Sequence, residues 1–426
     1  MKLLRYAVAP LATIALLGLQ AGVAPPASAV GSIRYASTTG TVGQTCATPA
    51  TACNIEKAVN SAGADDEIVI APGTYTPAAP LANPAIHLNV HGTAGQPRPV
   101  LTINAPLTYG LFLNGTGAQV SDLVINQTST GFALDTFSTN VLVQRVEVHA
   151  SGDNSIACLP GVSGLFRDSL CVATGANSAA VAVDYTGAGG TLRIRNLTGI
   201  ATGTGSVGLR AHAGPATPLV ADVRNSIFQG VAADIESTTT GAGATSAVAV
   251  QSSNYDVVSV AGVGATATAA GTGTNQTAAP LFADTTAYHQ AAGSPTVDKG
   301  TVDADLGSAD LDADPRVLYA APDIGVDEYR DVTPADTTPP DTVFDKTPKK
   351  KTFSHRAKFL FHSTEPGSKL TCRLDKKPAV SCVAFSKRMK KAGKHTFTVV
   401  ATDAHGNVDP TPATYTWKVK KKRHRN

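Results

Sequence analysis

Between about Gly110 and Tyr255 the apolar residues fall in pairs two positions apart, and the pairs return at nearly even intervals. Leu111 with Leu113, Phe132 with Leu134, Ile156 with Cys158, Val181 with Val183, Val207 with Leu209 and Ala233 with Ile235 form one ladder. Residues i and i+2 share one face of a strand, so each pair predicts a short strand with a single buried side. From Leu113 through Leu134, Cys158, Val183 and Leu209 to Ile235 the steps are 21, 24, 25, 26 and 26 residues, a spacing typical of stacked repeats. A second ladder interleaves with the first: Val120/Asp122/Leu123, Val143/Arg145/Val146, Phe166/Asp168/Ser169, Ile194/Asn196/Leu197 and Val223/Asn225/Ser226, its polar members 23, 23, 28 and 29 residues apart. Between the ladders, the stretches Gly115 to Gly117, Thr186 to Gly190 and Ala213 to Pro215 carry turn chemistry.

Two short strands and their turns make one coil of a right-handed parallel β-helix. A single coil cannot bury its own apolar face, whereas stacked coils share a continuous core. The recurrent Asn, Asp, Ser and Thr positions are read first as turn residues that bond the backbone of the neighbouring coil. Before the coils, Ile55, Ala58 and Val59 fall on one face of a short helix, suited to shielding the open first rung. After them, alternation returns over 358–361, 370–374, 396–400 and 415–419, which predicts a small β-sandwich. The chain is therefore expected to be all-β: a parallel β-helix over 30–330 with a helix cap and a C-terminal cap, a Pro/Thr linker over 331–340, a sandwich over 341–419 and a basic tail over 420–426. Scarce Met (2) and Trp (1) against 39 Gly agree with short strands and many turns.

Two stretches carry resemblances. The short helix followed by Asp66-Glu67-Ile68-Val69-Ile70-Ala71-Pro72-Gly73-Thr74-Tyr75 resembles the entry segment of bacterial surface β-helix proteins with a pectate-lyase-like fold. Residues 280–284, 291–298 and 323–329 are similar to the closing motif of the choice-of-anchor Q family. That resemblance covers about 33–330 and implies an exported, often wall-attached protein, in a group whose members mostly lack an established activity. Glu365 to Gly367, Cys372 to Asp375, Cys382 and Ala401 to Asp409 resemble bacterial Ig-like repeats, which implies a spacer or adhesion module.

Composition adds compartment and charge. Lys2 and Arg5, an apolar run over about 7–23 and an Ala-x-Ala site ending at Ala29 predict a signal peptide over 1–29. No later stretch is long and apolar enough to span a bilayer. In an exported chain the six cysteines invite pairing: Cys46 with Cys53, and Cys372 with Cys382. Cys158 and Cys171 lie within one coil and either pair or fill the core as small apolar residues. No zinc spacing and no Cys-x-x-Cys is present. Residues 30–330 hold 12 Lys+Arg against 24 Asp+Glu, a balance of −12, and residues 331–426 hold 21 against 8, a balance of +13. An acidic body thus precedes a basic module.

A lyase or hydrolase on such a helix needs carboxylates converging on one face with Arg or Lys beside them. The position after the first ladder reads Asp184, Arg210 and Glu236 in successive coils, with the two carboxylates as candidate acid and base and Arg210 between them. A solvent-exposed ion-pair ladder is the simpler account. Asp310, Asp312 and Asp314 offer oxygen ligands of the kind calcium takes, without the glycine or distal Glu of an EF-hand loop. A solvated acidic turn explains that run more simply. Basic runs at 349–351, 387–391 and 420–425 suit an anionic partner met outside the cell, and nucleic acid fits the charge but not the compartment. The expected protein is an exported monomer at the cell surface that binds polysaccharide or cell-wall polymer in a structural or adhesive role. The alternative is a polysaccharide lyase or glycoside hydrolase acting on the helix face.

Overall fold

The computed structural model describes residues 31–83, 85–104, 108–185, 189–331, 337–403 and 406–421. The expected signal peptide, residues 332–336 of the linker and residues 422–426 of the tail lie outside this range. The chain forms two compact units, 1–330 and 331–426.

The first unit is a parallel β-helix built from two sheets. An eight-stranded sheet takes Leu81–Asn83, Tyr109–Leu113, Phe132–Thr136, Ile156–Pro160, Ala179–Tyr185, Val207–Ala213, Ala233–Thr239 and Val258–Ala261 in that order. A thirteen-stranded sheet contains the long strands Gln119–Gln127, Leu142–Ala150, Leu165–Ala173 and Gly190–Ala201. Leu111, Leu134, Cys158, Val181, Leu209 and Ile235 stack in one buried row. The expected row had Leu113 and Val183 in place of Leu111 and Val181. A slip of two residues keeps the same face of a strand, so periodicity cannot detect it.

Phe132 and Ile156, expected inside, lie outside the main core. They join Leu159, Ala179 and Ala182 in a cluster separate from the main core, while Ala133, Ala157 and Ala180 enter that core. The alternation breaks where the chain bends into the strand.

The polar ladder marks a corner. Asp122, Arg145, Asp168, Asn196 and Asn225 have φ of 57°, 49°, 50°, 48° and 50°, a left-handed conformation that Asn and Asp adopt at least cost among L-residues. One such residue between extended neighbours turns the strand sharply and pulls the next amide out of the ladder. A serine on the following rung recaptures it: Val146 N–H donates to Ser169 Oγ, and Leu197 N–H to Ser226 Oγ, both at 3.2 Å. Arg145, an unusual residue for this conformation, binds Asp122 of the rung before through two 2.8 Å bonds.

Cys158 and Cys171 are joined, Cα atoms 6.0 Å apart, which links the two sheets through the interior of one coil. Cys46–Cys53 and Cys372–Cys382 are also bonded. At the N-terminal end, helix α1 (Ile55–Asn60) starts at Asn54, whose side chain accepts from Lys57 N–H, and it buries Ile55, Ala58 and Val59.

Residues 281–330 lie along the flank of the helix, where Tyr288, Leu311, Ile324 and Val326 pack on Leu170, Val172, Ile200 and Ile227 of the long sheet. The contact is pinned by a buried charge cluster. Arg316, 1 % exposed, meets Asp168 at 2.9 Å and Glu328 at 3.1 Å and donates to the Gly325 and Val326 carbonyls. Burial pushes the Glu328 carboxyl up to about 8 and raises Asp168, with Arg316 opposing both shifts. Beside it, Arg193, Arg195 and Arg224 pair with Asp303 and Asp305.

The second unit packs a three-stranded sheet (Thr342–Lys346, Arg356–Ser363, Phe385–Arg388) and a five-stranded sheet including Lys369–Leu374, Gly393–Thr402 and Ala413–Val419. Their shared core contains Phe359, Phe361, Phe397 and Trp417, which makes it a β-sandwich.

Arg316→Ala leaves the buried Asp168 with only the more distant Arg167, 3.6 Å away, and removes a hydrogen-bond donor from Glu328. It is expected to lower the unfolding free energy by about 3–5 kcal/mol and to open residues 281–330 to protease before the coils. An unchanged urea midpoint would mean that the apolar contacts alone hold the segment. Cys158→Ala with Cys171→Ala is expected to lower stability by about 2–4 kcal/mol under oxidising conditions. Calorimetry of the variant against the wild type, both oxidised so that the other two bridges stay closed, checks it.

Candidate functional site

The C-terminal segment covers the long sheet, and the outward face of the eight-stranded sheet carries the expected site residues. On that face Phe112 is opposite Asp135, which is opposite Leu159. Cys158 is opposite Val181, so Ala182 continues the row, followed by Arg210 and Glu236. The expected trio is thus only partly assembled. Arg210 Nε bonds Glu236 Oε2 at 3.1 Å, each side chain a little over a quarter exposed. Asp184 stands two residues along from that row, opposite His212. The physical reason is the same two-residue slip: the register is set by turns of unequal length between strands. His212 bridges Thr238 at 2.9 Å and Thr240 at 3.2 Å.

At the other end of the face sits a group that ladder reading passed over. Tyr109 stacks on Phe112 with ring centroids 4.7 Å apart and on Phe132 at 5.7 Å, all three rings partly exposed. Asp135 lies between the rungs of Phe112 and Leu159 and is 3 % exposed. Its Oδ1 accepts from Phe137 N–H at 2.9 Å. Burial against apolar neighbours pushes its carboxyl up to about 6, and that hydrogen bond opposes the shift. The missed signal was an aromatic in three strand positions of two neighbouring coils, hidden because Phe132 was assigned to the interior.

The calcium candidates do not converge. Asp310 is buried and accepts from the backbone N–H groups of Asp312, Asp314 and Glu328, Asp314 pairs with Arg330, and Asp312 turns to His289. There the fold gathers His289, Asp312 and Asp327 within 4.8 Å. Both ring nitrogens of His289 are engaged, with Asp312 at 2.7 Å and Asp284 at 2.5 Å, which holds the imidazole up to about 9. Held between two carboxylates, the imidazolium serves as a charge clamp. A cavity of about 430 Å³ beside Phe228, Gly230 and Asp234 lies elsewhere. Asp234 there already accepts from Gly230, Asp256 and Val257 N–H.

No protein-family model and no curated protein matches the chain. Among solved structures it is similar to pectate lyase Pel9A, 13 % identical, with 71 % of this chain and 97 % of that one covered and a TM-score of 0.38. It is also similar to a rhamnogalacturonan lyase, 12 % identical, with 53 % and 76 % covered and a TM-score of 0.31. The β-helix is established by the parallel register of its own strands, independently of these likenesses.

Asp135 gives a pH signature. A carboxyl held up to about 6 in the folded chain keeps a proton that the unfolded chain releases from about pH 4. Its contribution therefore favours folding at low pH and is lost as pH rises through 6. Between pH 4 and pH 8 the wild type should lose roughly 3 kcal/mol relative to Asp135→Asn. Urea titrations showing a constant difference between the two proteins would contradict the burial of this carboxyl.

Proposed function

We propose that this is an exported surface protein whose eight-stranded face binds a polysaccharide chain, in a structural or adhesive role. The observation that carries the reading is the stacked, partly exposed Tyr109, Phe112 and Phe132 on the outward face of the eight-stranded sheet. Sugar rings present apolar C–H faces and a rim of hydroxyls, and aromatic rings with nearby polar groups complement both. Along the same face, Arg210, Glu236, His212 and Asp184 offer donors and acceptors to the rim. Three disulfides and the absence of any long apolar helix among the described residues fit export. Within this reading the body is a choice-of-anchor Q protein, and the sandwich is an Ig-like module whose excess of cations meets an anionic cell-wall polymer.

The enzyme alternative keeps one specific support, the raised pKa of Asp135, which suits a proton donor near neutral pH. Strand spacing separates its Cα from that of Asp184 by roughly 12 Å, and the row between them holds Leu159 and Ala182. A carboxylate pair flanking one glycosidic bond is therefore not formed by these two, and binding is the better-supported reading.

Tyr109→Ala with Phe112→Ala is expected to weaken retention on the best of a panel of neutral and acidic polysaccharides by tenfold or more, with the fold intact by circular dichroism. Equal retention by the variant rules out the aromatic platform. Release of unsaturated or reducing-end products, abolished by Asp135→Asn, would replace the binding reading with the enzymatic one.

A further inference from the structure

The sandwich concentrates cations with few carboxylates to meet them, and one place on it is arranged as a site. Among its described residues, Asp345 pairs with His362 and Asp375 with His395, while Asp409 bonds Thr342 and Thr411. No described lysine or arginine of the module ion-pairs with a carboxylate. On the three-stranded sheet, Arg356 lies directly opposite Arg388, and Lys358 directly opposite Ser386. Ala357 and Phe359 turn into the core, which leaves Arg356, Lys358 and Arg388 exposed. Like charges directly opposite across an antiparallel pair are destabilising, so two guanidinium groups here make sense as a pair with an anion between them. They edge a cleft of about 640 Å³ lined by Phe353, Ser354, His355, Arg356, Ser386 and Arg388, with no carboxylate in the lining. Lys390 borders the adjoining hollow with His355 and Arg388. Lys420 sits over the exposed Phe353 ring at 5.2 Å from its centroid.

We propose that the Arg356–Arg388 pair clamps the phosphate of a phosphodiester-linked polyol or sugar polymer, with Lys358, Lys390 and Lys420 meeting flanking phosphates. The fork of each guanidinium presents paired donors in a plane. A phosphodiester carries its charge on two unesterified oxygens, as a carboxylate does, but these accept from all round each P–O axis rather than mainly in one plane, so two forks on facing strands reach it together. Cations on both sides of the clamp suit a repeating anion better than a single ion. Single-stranded nucleic acid shares the phosphodiester but binds through successive open aromatic rings. This cleft has one such ring, Phe353, and Lys420 occupies its face. The proposal rests on the reading that the basic module meets an anionic polymer, and it is independent of the aromatic face of the β-helix.

The test is binding of the full mature chain to immobilised synthetic poly(glycerol phosphate) over a range of salt, with polygalacturonate, single-stranded DNA and phosphatidylglycerol vesicles as parallel arms. Arg356→Ala with Arg388→Ala is expected to weaken binding to poly(glycerol phosphate) at least tenfold and to flatten the slope of log affinity against log salt by about two. Arg356→Lys with Arg388→Lys, which keeps the charge and loses the forks, should also weaken it by several-fold. Lys376→Ala with Lys377→Ala, in the hairpin of the other sheet, should leave it within twofold. Melting curves verify that each variant is folded. If the wild type binds none of the anionic polymers, the reading of the module as a polymer binder fails. If the wild type binds but the arginine-to-lysine protein binds equally, or the lysine-hairpin protein loses as much, the attraction is diffuse and the clamp is refuted. Tighter binding of polygalacturonate, DNA or vesicles than of poly(glycerol phosphate) overturns the assigned ligand class.

Discussion

The β-helix depends on a single backbone constraint repeated coil after coil: one residue at the corner of the long sheet held at positive φ. Asp122, Arg145, Asp168, Asn196 and Asn225 occupy it, and each converts a straight strand into two legs that meet at a corner. Parallel stacking then requires the corners to superimpose, since a corner displaced along one strand would misalign both legs with the rung below. The serines at 169, 226 and 253 follow from this requirement. Each accepts an amide of the preceding rung that the corner has taken out of the ladder, so the polar pattern serves backbone satisfaction before anything else.

The same corners hold the flank. Asp168 receives Arg316, Asn196 donates to the Asp323 carbonyl, and Asn225 binds Thr301 through both donor and acceptor. A row of side chains projecting from a bend is the natural place for a returning segment to attach, and the apolar residues Leu170, Val172, Ile200 and Ile227 beside it give that segment something to bury. Burying Arg316 beside Asp168 is tolerated because the two charges pair at 2.9 Å, while Glu328, pushed up to about 8, accepts from Arg316 largely as a neutral carboxyl near pH 7. One consequence is functional. With residues 281–330 engaged on the long sheet, the aromatic platform and the Arg210–Glu236 pair belong to the sheet that segment does not engage.

Much of the fold was legible. Two-residue alternation, the spacing of the pairs and the recurrent polar corner are properties of near neighbours, and the strands fell where they predicted. Legibility ended at register. Val183 and Val181 are equivalent to any reading of alternation, yet the choice between them decides whether Asp184 or Ala182 stands opposite Arg210. The interior pairing of Phe132 with Leu134 failed because a bend at the strand entrance reverses the facing of the first residue. The acidic run at 310–314 offers a ligand set beside the simpler acidic turn, because sequence does not reveal which oxygens the backbone has already claimed.

The sequence by itself determined the all-β class, the stacked coils and the separation of an acidic body from a basic module, because each follows from local spacing or from summed composition. Tertiary structure alone decided that Cys158 joins Cys171, that Asp135 loses its water between Phe112 and Leu159, and that Arg356 faces Arg388. These depend on which distant residues share a rung or a strand pair. Turns of unequal length set that register, and burial, hydrogen bonding and the pairing of charges are properties of the neighbours it brings together.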